Sequence, residues 1–175
     1  MQCIAEENLE QEMDSQVEPF LKQVQICGWM EVAPEGGESQ ERDAASADST
    51  SQKPENAPED GVAQRKIAKT GGLYYELYPQ ETQKGTIVIS YGFTESCLKY
   101  HELIYYFYLQ GYQVAIMDHR GHGKSMREVE DHTIVHIGLF SRYVKDLHRF
   151  VKTVVKPMAK DLPLYLYAHS MGGCI

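Results

Sequence analysis

The chain has 175 residues, 42% of them hydrophobic, and a formal net charge of -8; that length suits one folded domain. The charge is uneven: residues 1–62 hold 15 acidic and 3 basic side chains, whereas residues 63–175 hold 10 acidic and 14 basic. The modest positive balance of the second part, with no aromatic residues interleaved among its Lys and Arg, argues against a nucleic-acid partner. The four cysteines (Cys3, Cys27, Cys97, Cys174) form no CxxC and no cluster, so free thiols in a reducing compartment are expected rather than disulfides or a metal centre. The N-terminus, Met1 to Glu7, has neither a basic region nor an apolar one, and no apolar run reaches the roughly 18 residues of a spanning helix. A cytoplasmic protein is the expectation.

In chain order, residues 5–26 predict an amphipathic helix with Val17, Phe20, Leu21, Val24 and Ile26 on its apolar side, followed by a short strand at residues 28–32. Residues 1–33 thus form a lead-in. Residues 34–62 are Glu, Ser, Asp, Ala, Gln and Pro with almost no large apolar side chain. Such a stretch buries too little to offset its ordering entropy and is expected to be a disordered acidic insertion. Residues 63–175 then alternate strand and helix. Strands are predicted at 73–78, 86–90, 112–117 and 164–168, the last three as continuous apolar runs typical of strands buried on both faces. Helices are predicted at 97–110, with Leu103, Tyr106, Phe107 and Leu109 inward, and at 136–159, where Pro157 should kink or end the helix. The alternation implies an α/β fold with a mostly parallel sheet covered by helices on both faces.

The chemistry concentrates where three predicted strands end. After the last comes Ala168-His169-Ser170-Met171-Gly172-Gly173, the G-x-S-x-G elbow pattern with Ala168 in the first glycine position. Small residues two before and two after the serine allow a strand to turn sharply into a helix. The hydroxyl of Ser170 is then presented at the carboxyl end of the sheet, where the backbone N–H of Met171 can face a developing oxyanion. After strand 86–90 comes Tyr91-Gly92-Phe93-Thr94-Glu95-Ser96, a loop able to supply the second oxyanion donor, for which the Phe93 N–H is the candidate. In the plainer reading Thr94 or Ser96 caps the following helix, and the two roles are compatible. Asp118-His119-Arg120-Gly121-His122-Gly123-Lys124-Ser125 follows strand 112–117. It has no further ligand cluster to suggest a metal, and its G-x-G lacks the spacing of a dinucleotide fingerprint. Loop shaping is its expected role, and no metal or cofactor is expected.

These three motifs, in this order and spacing, resemble the N-terminal half of the monoacylglycerol lipase and lysophospholipase group of α/β hydrolases, also described as serine aminopeptidase S33-like. The likeness runs from about Gly71 to Ile175, and Val17–Leu21 and Gly28–Glu31 resemble the group's lead-in. Where such families commonly carry His before the oxyanion glycine, this chain has Tyr91. The resemblance implies that Ser170 is an acylated nucleophile, that Phe93 and Met171 are oxyanion donors, and that an ester or lipid is the substrate without a cofactor. It also implies peripheral membrane contact through that lipid. In this fold the triad runs serine, acid, histidine along the chain, and every acidic residue and every histidine here precedes Ser170. The chain is therefore expected to be an N-terminal fragment, inactive alone, whose last strand is an unpaired edge. A peptidase or general esterase on the same scaffold, and a non-catalytic hydrolase-fold binding protein, are the alternatives.

Overall fold

The computed structural model describes residues 3–32, 71–81 and 84–175; the expected acidic insertion at 34–62 lies outside these. Five strands form one sheet in the order β1-β2-β4-β3-β5, with β1 at Ile26–Glu31, β2 at Gly72–Tyr78, β3 at Thr86–Ser90, β4 at Gln113–Met117 and β5 at Leu164–Ala168. β3 pairs in parallel with β4 and β5, while β2 runs antiparallel to both β1 and β4. Parallel neighbours need crossovers, and helices supply them: α3 (His101–Leu109), entered through a 3-10 turn at Cys97–Tyr100, joins β3 to β4. A longer helical stretch, α4 (Ser141–Phe150), a π turn (Val151–Val155) and α5 (Lys156–Ala159), precedes β5.

The sheet separates two apolar layers. On one face Tyr74, Tyr78, Ile87, Ile89, Val114 and Ile116 pack against Ile104 of α3 and against Val17 and Leu21 of the N-terminal helices. The other face sets Leu73, Leu77, Val88, Ala115 and Met117 against Phe150 and Val155. The lead-in is helical from Glu6 to Val24, as α1 (Leu9–Glu12) and α2 (Glu18–Val24) joined by a π turn, and β1 then adds an antiparallel edge to the sheet. Ile26, expected on the helix's apolar side, is instead exposed in β1.

Three expectations need correction. The inward stripe of the first crossover helix is Cys97, Tyr100, His101 and Ile104; Leu109 is exposed, and Leu103, Tyr106 and Phe107 are only partly covered. Its polar inward member, His101, finds two carboxylates, so a hydropathy pattern alone misplaces the stripe. Pro157 does not end its helix. The helical stretch continues through it to Ala159, and the departure from regular α-helix lies just before it, in the π turn Val151–Val155. Finally, β5 is apolar in sequence but not buried: it is an outer strand whose Leu164, Tyr165, Leu166 and Tyr167 are 38–61% exposed, in keeping with the unpaired edge expected of it.

Candidate active site

β3, β4 and β5 are parallel, so their carboxyl ends lie on one side of the sheet, where ligands bind in open α/β sheets. At the end of β5 the backbone turns at once into a 3-10 turn, Ser170–Gly173. Ser170 sits at φ +51, the left-handed region that costs a non-glycine residue on the order of 1–3 kcal/mol and that tends to occur at functional sites. Close packing holds it there. A Cβ on Gly172 would lie 2.0 Å from the Ser90 carbonyl oxygen, so no side chain fits between the turn and β3. The Ser90 hydroxyl donates to the Gly172 carbonyl (3.0 Å) and the His169 N–H donates to the Ser90 carbonyl (3.0 Å), stitching the turn to β3. A Cβ on Gly173 would make only an ordinary contact with Ala168, so Gly172 is the glycine this elbow requires.

The Gly92 loop reaches the same point. A Cβ on Gly92 would meet Ser170 Cβ at 3.2 Å and His169 Nδ1 at 3.0 Å, so the loop backbone lies against the nucleophile candidate. Phe93, expected as an oxyanion donor, is 53% exposed at the tip. Its N–H and that of Met171 have no acceptor among the described residues. The Ser170 side chain is exposed and likewise has no hydrogen-bond partner among them.

The expected helix cap is supplied differently. Ser96 occupies the N-cap position but makes no side-chain cap bond, and the Thr94 hydroxyl turns back to the Phe93 carbonyl. The cap comes from Asp118 at the end of β4, whose Oδ1 accepts the Cys97 N–H at 2.8 Å. The same oxygen accepts the Tyr91 hydroxyl (2.9 Å), and Oδ2 accepts the Lys124 N–H (2.8 Å). Gly123, at φ +46, leaves room for that carboxylate: a Cβ there would sit 2.1 Å from Oδ2. Tyr91, fully buried, also accepts the His119 N–H (2.9 Å). Burial, reinforced by the Asp118 charge, pushes its phenol well above the usual tyrosine range, so it acts as a neutral strut between two loops. Asp118 was legible only as part of a loop-shaping motif; its hub role arises because β3 and β4 are neighbours, which no local pattern reveals.

His119 and His122 are buried beneath the loop, in edge contact with Tyr91 and Tyr143. Burial, with the neighbouring His122, lowers His119 to about 4, so it is neutral at ordinary pH. Arg120 turns the other way, making paired hydrogen bonds to Asp146 of α4 at 3.0 Å each, with Glu128 alongside at 3.5 Å. The motif therefore shapes its loop, and no group of three or more His, Cys, Asp or Glu side chains is arranged for a metal among the described residues.

Sequence reasoning missed a further cluster. Glu95 Oε2 accepts the Gly92 N–H (2.8 Å) and the Tyr100 hydroxyl (2.7 Å) and lies 3.2 Å from His169 Nδ1, while Oε1 pairs with Lys99. Burial alone would raise this carboxyl, but the hydrogen bonds from Lys99, Tyr100, Gly92 and His169 prevail and hold it at about 2. The i, i+4 spacing of Glu95 and Lys99 was visible in the sequence; the pairing with His169 was not.

The family described as serine aminopeptidase, S33 matches residues 81–175, a span that contains all three motifs. The chain belongs to this family. Within it the likeness is to the lysophospholipase and monoacylglycerol lipase group of α/β hydrolases. Lysophospholipase L2 of Escherichia coli is 43% identical over 89 residues, 51% of this chain and 26% of that protein. Monoglyceride lipase of Mus musculus is 33% identical over 132 residues, 74% of this chain and 41% of that one. Among solved structures, a monoglyceride lipase from Saccharomyces cerevisiae in complex with a substrate analog aligns at 25% identity with a TM-score of 0.43, covering 68% of this chain and 39% of that one. The chain thus spans well under half the length of these relatives.

Proposed function

We propose that this S33-family chain carries the nucleophile and oxyanion loop of a serine hydrolase acting on carboxylic esters, with lysophospholipids or monoacylglycerols as the substrate class. The observation that carries it is the strained Ser170, held at φ +51 against the Gly92 loop at the carboxyl end of a parallel sheet. The Ser170 hydroxyl gives up its proton to a base as Oγ attacks the ester carbonyl carbon, that proton later passing to the departing alcohol, and the carbonyl oxygen becomes an oxyanion received by the Phe93 and Met171 N–H groups. Collapse expels the alcohol, which takes up a proton, and leaves an acyl-enzyme that water hydrolyses. The chemistry needs no cofactor. The substrate class follows the relatives, which are named lysophospholipase L2 and monoglyceride lipase. A lipid substrate brings the protein to a membrane or micelle surface, and no described helix is long and apolar enough to cross one.

An unassisted serine is a weak nucleophile. No described histidine reaches the Ser170 hydroxyl: His101 is held by Glu18 and Glu76, and His169 faces Glu95. On this reading residues 1–175 alone are inactive, and the acid and histidine are those that follow the serine in this fold. The test is hydrolysis of a monoacylglycerol and a lysophospholipid by the protein made from its complete coding sequence, beside Ser170→Ala. Turnover lost in the variant supports the proposal; equal turnover in both refutes it. The family's description as an aminopeptidase makes peptide cleavage the second reading, separated by an aminoacyl p-nitroanilide in the same assay.

A further inference from the structure

We infer that Glu95 is a positioning residue that clamps the oxyanion loop to the nucleophile elbow; the inference rests on the serine-hydrolase reading of Ser170. Gly92-Phe93-Thr94-Glu95 is a tight turn closed from both ends: the Glu95 N–H reaches the Gly92 carbonyl at 3.4 Å, and the Glu95 carboxylate takes the Gly92 N–H at 2.8 Å. With Gly92 so engaged, the next two amides, Phe93 and Thr94, have no acceptor among the described residues. The turn is strained, since Thr94 is β-branched and stands at φ +62, and such a conformation persists only where its surroundings over-determine it.

The carboxylate also reaches the other half of the site. His169, which contacts Glu95 Oε2 at 3.2 Å, immediately precedes Ser170. Tyr100, from the turn leading into α3, bonds to the same oxygen and lies 3.3 Å from His169 Nδ1. One carboxylate oxygen therefore gathers the oxyanion loop, the helix behind it and the elbow. The Glu95 side chain is only 10% exposed although His169 is 54% exposed, so the carboxylate is sheltered on its Gly92 and Tyr100 side and open to water on its His169 side. Oxyanion donors act through placement within a few tenths of an ångström, and this network sets the separation between Phe93 and Ser170. A negative charge beside a developing oxyanion opposes catalysis, and the Lys99 ammonium on Oε1 offsets it.

A positioning role predicts loss of transition-state binding with little change in substrate binding. The experiment uses the protein made from its complete coding sequence, a soluble p-nitrophenyl ester, and a trifluoromethyl ketone that mimics the tetrahedral intermediate, with rates normalised to folded protein by near-UV circular dichroism. Glu95→Ala should lower kcat about 10–100-fold, short of the roughly 100–1000-fold of deleting a donor outright. KM should stay within about threefold, and the ketone's Ki should rise by the same factor as kcat falls. Glu95→Gln retains a carbonyl for the Gly92 N–H and should recover most of the loss, a rescue that a mere effect on folding does not produce. An unchanged Ki, with kcat falling only as the folded fraction falls, overturns the inference. Should Glu95→Ala fail to fold, Tyr100→Phe carries the test: a drop in kcat of about 2–10-fold, matched by the ketone's Ki, supports the clamp. Wild-type kcat and Ki in Tyr100→Phe refute it. If wild type and Ser170→Ala react alike, the serine-hydrolase reading falls and this inference with it. If Ser170 is essential and Glu95→Ala matches wild type, the clamp alone is wrong.

Discussion

His101 offers a quantitative test of what holds the N-terminal helices to the sheet. Its Nδ1 lies 2.6 Å from Glu18 of α2 and its Nε2 lies 2.9 Å from Glu76 of β2. Glu76 is 1% exposed and, among the described residues, otherwise bonded only to the Tyr74 and Tyr78 hydroxyls, at 2.9 and 2.8 Å. Burial alone would lower the imidazole, but its bonds to Glu76 and Glu18 prevail and raise it; burial likewise opposes ionisation of Glu76, yet His101 and the two phenols hold that carboxyl down. Replacing His101 by Leu strands a buried carboxylate. Losing one partner of a buried pair costs about 3–5 kcal/mol, and the two remaining phenol donors place this case at the lower end, about 3 kcal/mol. Because the folded pKa of His101 is raised, its contribution is fully present below the unfolded value near 6.5 and fades as pH rises through the folded value. The contribution of Glu76 has the opposite sign: it is present above the unfolded carboxyl value and is lost as pH falls through the lowered one. Urea denaturation of wild type and His101→Leu at pH 6 and pH 9.5 measures this. The penalty should be about 3 kcal/mol at pH 6 and smaller at pH 9.5, with deuterium exchange in Glu18–Val24 faster in the variant. A penalty under about 1 kcal/mol at pH 6, or one independent of pH, refutes the ion-paired assignment.

Other perturbations follow from the same geometry. Gly172→Ala places a methyl against the Ser90 backbone at 2.0 Å and should cost about 3 kcal/mol or more in thermal or urea unfolding, whereas Gly173→Ala, with room for its methyl, should cost less than about 1. Asp118→Ala strands the buried Tyr91 hydroxyl and Cys97 N–H and frees the more exposed Lys124 N–H; at about 1–3 kcal/mol for each of the two buried groups left unsatisfied, it should lower the Tm by at least about 4 °C. The free apolar edge of β5 is a template for edge-to-edge pairing. Residues 1–175 should therefore self-associate in light scattering, and Leu166→Lys should reduce this; a monodisperse wild-type monomer contradicts the prediction.

The parts legible in the sequence were those carried by local pattern. β3 and the elbow announce themselves through a run of β-branched residues and a motif whose spacing is dictated by backbone sterics. The turn at Ser170 follows from such sterics, and Gly172 against Ser90 shows why. Less legible were features made by elements distant in sequence. His101 reads as a polar interruption of an apolar stripe until Glu18 and Glu76, 83 and 25 residues away, are seen around it. The cap on Cys97 comes from Asp118, 21 residues on, so the local candidates Thr94 and Ser96 were reasonable but displaced. β5 has the composition of a buried strand, so its local pattern alone does not mark it as the outer strand that the strand order shows.

Whether Ser170 is the group that becomes acylated is tested most directly by mapping a fluorophosphonate adduct. The protein made from its complete coding sequence is treated with the probe, digested and sequenced by mass spectrometry. One adduct on the Ser170 side chain, absent after denaturation and absent from Ser170→Ala, is the predicted result. A natively folded, ester-cleaving protein that carries the probe elsewhere, or that is still labelled as Ser170→Ala, contradicts the account.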